Sequence, residues 1–244
     1  MRPDSFALAA STNDLTREPE AREFADFMEF RMDSAEDPIG QLSDYSGSLP
    51  IIATNRTRWF GGHANDTGRL DRLSAASRFD VVKMIDLELE TARGMGWILE
   101  EFRENDVDLV VSHHDFEATP ERDVLDAIFQ QCAQYGDVAK VATYAEDYED
   151  VLRLLGAIHA ASEDGLAVAG IAMGGIGSPS RVVAPLYGSK LGYAPVESDD
   201  SEYAPGQIPL RKLRALVEAV RTATDDVTDL ESLNEELAEQ QTTA

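Results

Sequence analysis

The sequence has almost no cysteine, no long apolar run and no recognisable signal peptide, and each of these absences excludes a class of protein. Cys132 is the only cysteine among 244 residues, so no disulfide can form within the chain, and we expect this residue to pack in the core. No apolar run reaches the roughly 20 residues of a membrane-spanning helix. Residues 1–10 hold one arginine and no long apolar core, which argues against a signal peptide. These absences predict a cytoplasmic protein with no membrane partner.

Lysine is scarce as well, and the charge balance is strongly acidic. The chain has 46 acidic and 21 basic residues, for a net charge of −25, and only four lysines, which are Lys83, Lys140, Lys190 and Lys212. Such a surface repels nucleic acid and anionic lipid, which excludes both as partners. It also repels itself unless salt screens the charges. We therefore predict a halophilic protein from a salt-rich cytoplasm rather than an ordinary acidic one.

Motifs for several common sites are missing. No strand–GxGxxG–helix pattern occurs near the start, which argues against dinucleotide binding, and neither HExxH nor CxxC is present. His113 and His114 are adjacent, and successive residues of a strand face opposite ways, so they do not form one metal site. The glycine-rich residues 174–177 can cradle a phosphate, although closure over a carboxylate suits the following Arg181 equally well. We predict no metal ion.

Eight short apolar segments alternate with helical ones along the chain. The predicted strands cover residues 6–10, 27–30, 49–54, 81–89, 107–112, 137–143, 166–172 and 190–193. Strands that are apolar throughout are typical of a parallel sheet covered on both faces. Eight such units in this length predict an α/β fold with a single domain, a (β/α)₈ TIM barrel, over residues 1–223. A doubly wound open sheet is the alternative.

The segments between the strands are assigned as helices or loops. Helical patterns cover residues 70–79, 90–104, 122–135, 147–161, 181–187 and 207–223, and residues 13–26 are compatible with a helix. Residues 37–47 read as a loop with a weak helix, 173–180 as a glycine-rich loop and 197–206 as an acidic loop. Residues 224–244 are polar and acidic, and we expect a flexible tail.

Lys140 is the most unusual residue of the pattern, because it lies in the middle of a predicted buried strand. An ammonium group is costly to bury unless it is paired or neutral. A buried lysine can be deprotonated and act as an amine nucleophile, which arginine cannot do. The alternative interpretation is a core lysine paired with a nearby carboxylate, and this stretch alone leaves both open.

Further polar residues collect near the carboxyl ends of the predicted strands, where barrel enzymes carry their sites. They are Glu29, Arg31, Arg56, Asp86, Glu88, His114, Arg181 and Gln207. A lysine can form an imine with a ketone, and a histidine can then move a proton at the neighbouring carbon. Arginine forks bind a substrate carboxylate, with Arg56 and Arg181 as candidates. Alternatively, the arginines bridge loops, Asp86 and Glu88 form a buried polar network, and His113 is structural.

Several segments together resemble type I 3-dehydroquinate dehydratase, an enzyme of the shikimate pathway of aromatic amino-acid biosynthesis. The resemblance covers nearly the whole chain, from about Phe6 to the last predicted helix. The segments are residues 29–33, 85–89, 112–116 with 119–120, 138–142, 173–181, 187–189 and 204–207. It implies a (β/α)₈ barrel hydro-lyase that converts 3-dehydroquinate to 3-dehydroshikimate, works without a cofactor and forms a homodimer.

The resemblance also implies roles for particular residues. Lys140 matches the lysine that forms the imine (Schiff base), and His114 matches the general acid and base. Five positions match substrate-binding residues, namely Glu29, Arg31, Arg56, Arg181 and Gln207. Asp86 and Glu88 are expected to support the site.

Two positions depart from the family pattern. Phe60 stands before Gly61-Gly62, where the family usually has a glutamate that orients the histidine. Glu88 or His113 could take over that role; otherwise turnover would be slower. Tyr203 stands where a serine often contacts the substrate, which makes Tyr203 a less certain site residue.

Two other functions are compatible with the same residues. The first is a different imine-forming barrel enzyme, such as an aldolase, although aldolases often act on phosphorylated sugars and arginines that bind a carboxylate argue against that. The second is a non-catalytic sensor that kept the binding pocket, which only Phe60 favours.

Overall fold

Eight parallel strands form the centre of the protein in a computed structural model that describes residues 5–196 and 206–224. The strands are β1 (Ala7–Thr12), β2 (Phe27–Arg31), β3 (Ile51–Thr54), β4 (Val82–Glu88), β5 (Asp108–Asp115), β6 (Val138–Tyr144), β7 (Val168–Met173) and β8 (Leu191–Pro195). Their order in the sheet is β7-β6-β5-β4-β3-β2-β1-β8, so each strand lies beside the next one in the chain and β8 pairs with β1. This arrangement confirms the predicted TIM barrel and excludes the doubly wound alternative.

The seam between β7 and β8 closes the barrel with fewer ladder bonds than the other strand pairs. The amide of Lys190 donates to the Val168 carbonyl at 2.7 Å, and the amide of Ala7 donates to the Lys190 carbonyl at 2.9 Å. The amide of Gly170 donates to the Ser189 hydroxyl at 3.3 Å. Residues just before β8 therefore join both neighbouring strands, and the barrel is nearly closed.

Helices cover the outside of the barrel. They are α1 (Glu18–Ala21), α2 (Pro38–Asp44), α3 (Arg69–Ala76), α4 (Leu89–Gly94), α5 (Gly96–Glu104), α6 (Arg122–Ala133), α7 (Tyr148–Glu163), α8 (Gly174–Gly177), α9 (Ser180–Val183) and α10 (residues 210–224). Single 3₁₀ turns occupy Leu15–Arg17, Arg58–Phe60 and Ala184–Tyr187. Among the described residues, no helix combines the length and apolar character needed to span a membrane.

Strand alternation divides the apolar side chains between two cores. The outer core lies between strands and helices and contains Phe30, Phe102, Phe129 and Cys132, all buried. The barrel interior is filled by every second residue of the strands. It contains Ala7, Ala9, Phe27, Ile52, Met84, Val110, Val138, Ala142, Ala169, Ile171, Met173, Leu191 and Tyr193. Inward positions nearer the carboxyl ends carry polar residues instead, and these form the site described below.

The helix-compatible stretch at residues 13–26 is much shorter in the structure. It holds only one 3₁₀ turn and the four residues of α1, where Pro19 lies in the first turn. The carboxylate of Glu18 is buried and accepts bonds from the amide and hydroxyl of Ser48, both at 3.1 Å. Proline suits a helix start, and this tertiary contact fixes the segment in place of further helical turns.

Other element boundaries also differ from the prediction. The helix at 90–104 is broken at Met95, which lies between two glycines and has non-helical dihedrals (φ −129°, ψ 54°), into α4 and α5. Strand β5 is longer than predicted and includes both histidines. The glycine-rich loop at 173–180 is largely helical, since α8 and the start of α9 occupy it. The predicted tail at 224–244 begins with the last described residue of α10; residues 225–244, and residues 197–205 of the predicted acidic loop, lie outside the described residues.

Candidate active site

A cleft opens at the carboxyl ends of the strands. Its cavity volume is about 50 Å³. It is lined by Glu29, Arg31, Arg56, Phe60, Gly61, His114, Phe116, Lys140, Ala142, Ile171, Met173, Arg181, Tyr193 and Gln207. The structure thus brings together in one place the seven residues that the sequence suggested as catalytic or substrate-binding.

Lys140 lies in the middle of β6 with its side chain in the barrel interior, on the same side as Val138 and Ala142. Its Nζ donates to Oδ2 of Asp86 at 2.9 Å and lies 3.8 Å from the centre of the Tyr193 ring. The residue is only 4% exposed. Lys140 is therefore paired with a carboxylate, as one of the two interpretations of the sequence predicts. It also lines the cleft.

Asp86 connects three side chains below the cleft. Its Oδ1 accepts a bond from Nη2 of Arg56 and one from the Ser112 hydroxyl, both at 2.7 Å. Nη1 of Arg56 donates to the same hydroxyl at 2.7 Å. Burial alone would raise the pKa of Asp86, but Arg56 and Lys140 outweigh that effect and hold the pKa well below its ordinary value. Asp86 therefore stays ionised between two cations.

Replacing Asp86 by asparagine should lower the free energy of unfolding by about 3–5 kcal/mol, because buried Lys140 loses its carboxylate partner and Arg56 loses the nearer of its two, keeping Glu88 at 3.6 Å. Asp126→Asn is the matched control: Asp126 pairs with Arg122 at 2.8 Å on the surface, where a loss of about 0–1 kcal/mol is expected. Urea unfolding in concentrated salt would measure both values. Equal losses in the two variants would contradict a special role for Asp86.

The stabilisation by Asp86 also has a defined pH dependence. Because its pKa is lowered by folding, the contribution is complete above the unfolded value of about 3.9 and is lost as the pH falls through the folded pKa. The difference between Asp86→Asn and the unaltered protein should therefore shrink only in strong acid.

Glu88 fastens the loop that follows β3 to the barrel. Its Oε1 accepts from the amide of Thr57 at 3.3 Å, and its Oε2 accepts from Arg69 at 2.9 Å and from the Thr91 hydroxyl at 3.2 Å. Oε1 also lies 3.6 Å from Nη1 of Arg56. These contacts agree with the interpretation of a buried polar network that supports the site.

His114 lies near the end of β5 in the cleft lining. Burial lowers the pKa of its imidazole well below the usual value of 6.5, and Arg56 and Lys140 lower it further against the opposing effect of Asp86. The ring is therefore neutral at neutral pH and can accept a proton. Its Nδ1 is buried and has no hydrogen-bond partner within the described ranges.

The two residues considered as substitutes for the missing glutamate do not fill that role within the described part of the chain. The oxygens of Glu88 bind the loop and α3, while Nδ1 of His114 remains without a hydrogen bond. His113 has its Nδ1 3.6 Å from Oε1 of Glu90, a residue of α4 on the outside of the barrel. Phe60, the departure from the family pattern, lines the cleft instead.

The remaining polar lining is held by contacts that restrict its movement. Arg31 donates two bonds to Asp33, from Nε at 3.0 Å and from Nη2 at 2.8 Å. The hydroxyls of Ser11 and Thr54, on the strands either side of β2, both donate to the carboxylate of Glu29. These side chains therefore present fixed charges to a ligand.

Arg181 and Gln207 approach the cleft from the segments after β7 and β8. Nε of Arg181 donates to the carbonyl of Gly206 at 3.1 Å, directly before Gln207 in the chain. Burial lowers the pKa of Arg181 to about 10, so its guanidinium stays charged at neutral pH. Oε1 of Gln207 is buried and has no hydrogen-bond partner among residues 5–196 and 206–224. Tyr203 lies outside those residues.

Several residues at the site were missed from the sequence, among them the polar residues Ser112, Tyr193 and Asp33 and the aromatic residue Phe116. Ser112 lies two residues before His114 on β5, Tyr193 is an inward residue of β8, and Asp33 follows β2 and holds Arg31. The alternation of strand side chains could have identified Ser112 and Tyr193, since both share a face with other inward residues. No group of three or more potential metal ligands occurs among the described residues.

The fold and the cleft define a parallel α/β barrel whose candidate site is built around a buried lysine and a neutral histidine. Residues 8–224 match the family model described as Type I 3-dehydroquinase. The chain therefore belongs to this family, which confirms the resemblance seen in the sequence. Membership makes it an enzyme of the dehydratase class.

Individual proteins that resemble this chain carry the name of the same family. A protein named 3-dehydroquinate dehydratase from Haloarcula marismortui is 46% identical over 220 residues, which cover 88% of this chain and 96% of that one. Its namesake from Halobacterium salinarum is 44% identical over 224 residues, covering 89% and 98%. The crystal structure of 3-dehydroquinate dehydratase from Geobacillus kaustophilus has a TM-score of 0.79 at 28% identity and covers 90% of this chain and 92% of that one.

Proposed function

We propose that this protein dehydrates 3-dehydroquinate to 3-dehydroshikimate by way of an imine on Lys140. The observation that carries the proposal is the cleft in which the Lys140 amine, the His114 imidazole and several arginines lie together. The names of the relatives described above support the choice of substrate. The reaction belongs to the shikimate pathway of aromatic amino-acid biosynthesis.

The first step joins Lys140 to the substrate ketone. Two protons of the Nζ ammonium pass to the carbonyl oxygen as Nζ bonds to the carbonyl carbon, so the oxygen leaves as water and the imine that forms keeps the third proton. Asp86 holds Nζ at 2.9 Å and so fixes the position from which the nitrogen attacks. The protonated imine then withdraws electrons from its neighbouring carbon, whose C–H bond becomes acidic.

The second step moves a proton through His114. The neutral imidazole takes a proton from the carbon beside the imine, and a carbon–carbon double bond forms as the hydroxyl on the next carbon departs. The imidazole returns its proton to that hydroxyl, which leaves as water. A further water hydrolyses the imine, restores the Lys140 amine and releases the enone, so the balance is the loss of one water per substrate.

The substrate carboxylate is assigned to Arg181 and Gln207. The forked nitrogens of Arg56 already donate to Asp86 and Ser112, so Arg56 contributes chiefly positive charge at the floor of the cleft. Arg181 stays charged and lies beside Gly206, next to Gln207 in the chain. The fixed groups of Glu29 and Arg31 are then assigned to the substrate hydroxyls.

A spectrophotometric assay tests this function directly. The conjugated enone of 3-dehydroshikimate absorbs ultraviolet light, whereas the isolated ketone of 3-dehydroquinate lacks that band. We expect the band to appear when the purified protein is mixed with 3-dehydroquinate in molar-range salt. A protein that binds 3-dehydroquinate and leaves it unchanged would be a sensor, and the proposed function would be refuted.

Salt should stabilise this protein strongly. The net charge is −25, and raising the KCl concentration from about 0.1 M to about 1 M shortens the screening length from about 10 Å to about 3 Å. We expect the thermal unfolding midpoint and the activity to rise together over this range. A sucrose series provides the control for non-ionic effects. Full activity and stability in dilute buffer would contradict the prediction of a halophilic protein.

The assembly and the location of the protein stay predictions from the sequence. The homodimer follows from the resemblance to the family, and the cytoplasmic location follows from the single cysteine and the place of the proposed reaction in metabolism. Analytical ultracentrifugation in concentrated salt would test the homodimer. A particle of twice the chain mass is expected, and a sedimentation coefficient typical of a 26.7 kDa monomer would contradict the prediction.

A further inference from the structure

The imidazole of His114 is stacked on an aromatic ring. The ring centroids of His114 and Phe116 are 5.9 Å apart and their planes differ by 13°, a near-parallel arrangement within the usual range for stacked rings. Phe116 follows β5 directly and lines the cleft beside His114. The stack therefore restricts the tilt of the imidazole plane. No described residue restricts it through a hydrogen bond to Nδ1.

The far end of the Phe116 ring contacts the backbone of another loop, while the residue as a whole is 39% exposed. A Cβ atom placed on Gly61 would lie 2.4 Å from Cζ of Phe116, which is closer than real side chains approach. Gly61 also has φ +77°, in the left-handed region that favours glycine. Only a residue without a side chain lets this loop contact the ring, so Gly61 limits the movement of Phe116 away from His114.

The loop that contains Gly61 is itself fastened to the barrel. The amide of Gly62 donates to the Thr57 carbonyl at 2.8 Å, and the amide of Ala64 donates to the Arg56 carbonyl at 3.0 Å. The amide of Thr57 donates to Glu88 on β4. We call residues 57–64 the rim loop. Its attachment makes it a fixed surface against which Phe116 can rest.

We propose that Phe116, held between the His114 imidazole and Gly61 of the rim loop, is the positioning residue that orients His114 for proton transfer. The proposal rests on the proposed function, since it concerns the imidazole assigned to that step. The stack fixes the plane of the imidazole. It occupies the face of the ring and uses neither nitrogen, because ring nitrogens form their hydrogen bonds in the plane of the ring. Stacking thereby does in this chain what a carboxylate hydrogen bond commonly does for a catalytic histidine.

The arrangement also bears on the charge of the imidazole. The Phe116 ring stacks on one face of the imidazole and so reduces the access of water to that face, and Phe60 also lines the cleft. Reduced access favours the neutral form, the one that accepts a proton. Loss of the aromatic ring should therefore both disorient the imidazole and admit water to it.

Phe116→Leu tests the proposal, because leucine keeps an apolar side chain and removes the aromatic face. A displacement of a catalytic group by about 1 Å can cost about 100-fold in rate, so we expect kcat to fall by about 10- to 100-fold. The KM and the rate of borohydride trapping of the imine on Lys140 should stay within about 3-fold, since neither uses proton transfer to the neighbouring carbon. Phe116→Tyr, which keeps the aromatic face, should restore kcat to within about 3-fold of the unaltered protein.

Two glycine variants provide a matched pair. Gly61→Ala places a methyl group against the Phe116 ring, whereas Gly68→Ala imposes similar backbone strain at φ +74° with no atom within 4 Å. We expect Gly61→Ala to lower kcat by about 10-fold or more while trapping continues, and Gly68→Ala to leave kcat nearly unchanged. A thermal melt of both variants separates this effect from the strain that they share.

Nuclear magnetic resonance of the His114 ring gives a readout that is independent of activity. Its titration midpoint should move upward, toward the ordinary value, in Phe116→Leu and not in Gly68→Ala. An unchanged kcat in Phe116→Leu, or equal losses of trapping and turnover, would overturn the positioning role while leaving the proposed function intact. Absence of both adduct and enone in the unaltered protein would instead refute the proposed function and, with it, this inference.

Discussion

Replacing Lys140 by methionine should abolish the dehydration of 3-dehydroquinate, with kcat reduced by at least about 10⁴-fold. Methionine has a similar length and suits the apolar middle of β6, but it offers no amine to attack the ketone. Asp86 keeps its bonds to Arg56 and Ser112 in this variant, so we expect a folded protein. The enone absorbance measures the remaining activity.

The exposed lysine Lys212 on α10 supplies the control for this variant. Lys212→Met removes an amine of the same kind far from the strand that carries the site, and its kcat should match that of the unaltered protein. Circular dichroism in concentrated salt would establish that both variants are folded. Substantial turnover by folded Lys140→Met would show that the reaction proceeds without an imine on this residue.

Replacing His114 by glutamine should lower kcat by about 10²- to 10⁴-fold, the usual contribution of a general acid or base. The imine on Lys140 should still form and should accumulate, because the later proton transfers are slowed. Mass spectrometry after borohydride reduction would detect the accumulated adduct. His159→Gln, on the exposed side of α7, is the control, and comparable losses in the two variants would argue against a specific role for His114.

The pH profile of the unaltered enzyme gives a second test of His114. Burial and the neighbouring cations lower the pKa of its imidazole, so the neutral, proton-accepting form persists below pH 6.5. Activity should therefore stay level from neutral pH into mild acid and fall only as the pH passes through the lowered pKa. An acid limb centred near or above pH 6.5 would be contrary to this environment for the ring.

The central elements of this site could be predicted because strands alternate. A lysine in the middle of an apolar strand has to face either the barrel interior or the helices. Both places are buried, where an ammonium group is costly, so the sequence alone marks Lys140 as a candidate functional residue. The polar residues at the ends of the other strands converge because parallel strands end on one side of a barrel. Seven residues of the lining followed from these two rules and the family resemblance.

The contacts between these residues depend on information that alternation does not contain. Ser112 lies beside Lys140 because of the register between β5 and β6, and Asp86 lies beside Thr54 because of the register between β3 and β4. Register depends on the packing of the whole barrel, so the pairing of Asp86 with two cations could not be predicted from spacing. The stack of Phe116 on His114, by contrast, joins residues two apart at the end of β5, a spacing that places both on one face of an extended chain.

Local structure at two loops was also decided by tertiary contacts. The buried carboxylate of Glu18 holds the segment after β1, so a pattern compatible with a long helix ends after a few residues. The contact of Gly61 with Phe116 depends on a positive φ at one glycine, and a sequence shows the glycine without showing what packs against it. Propensity is a weak guide wherever such contacts dominate.

Borohydride reduction in the presence of 3-dehydroquinate, followed by peptide mapping, tests the central claim most directly. The account predicts one added substrate unit per chain, located on the peptide that contains Lys140, and no adduct on the peptides of Lys83, Lys190 or Lys212. An adduct on one of those three lysines, or steady production of the enone with no reducible adduct at all, would contradict it.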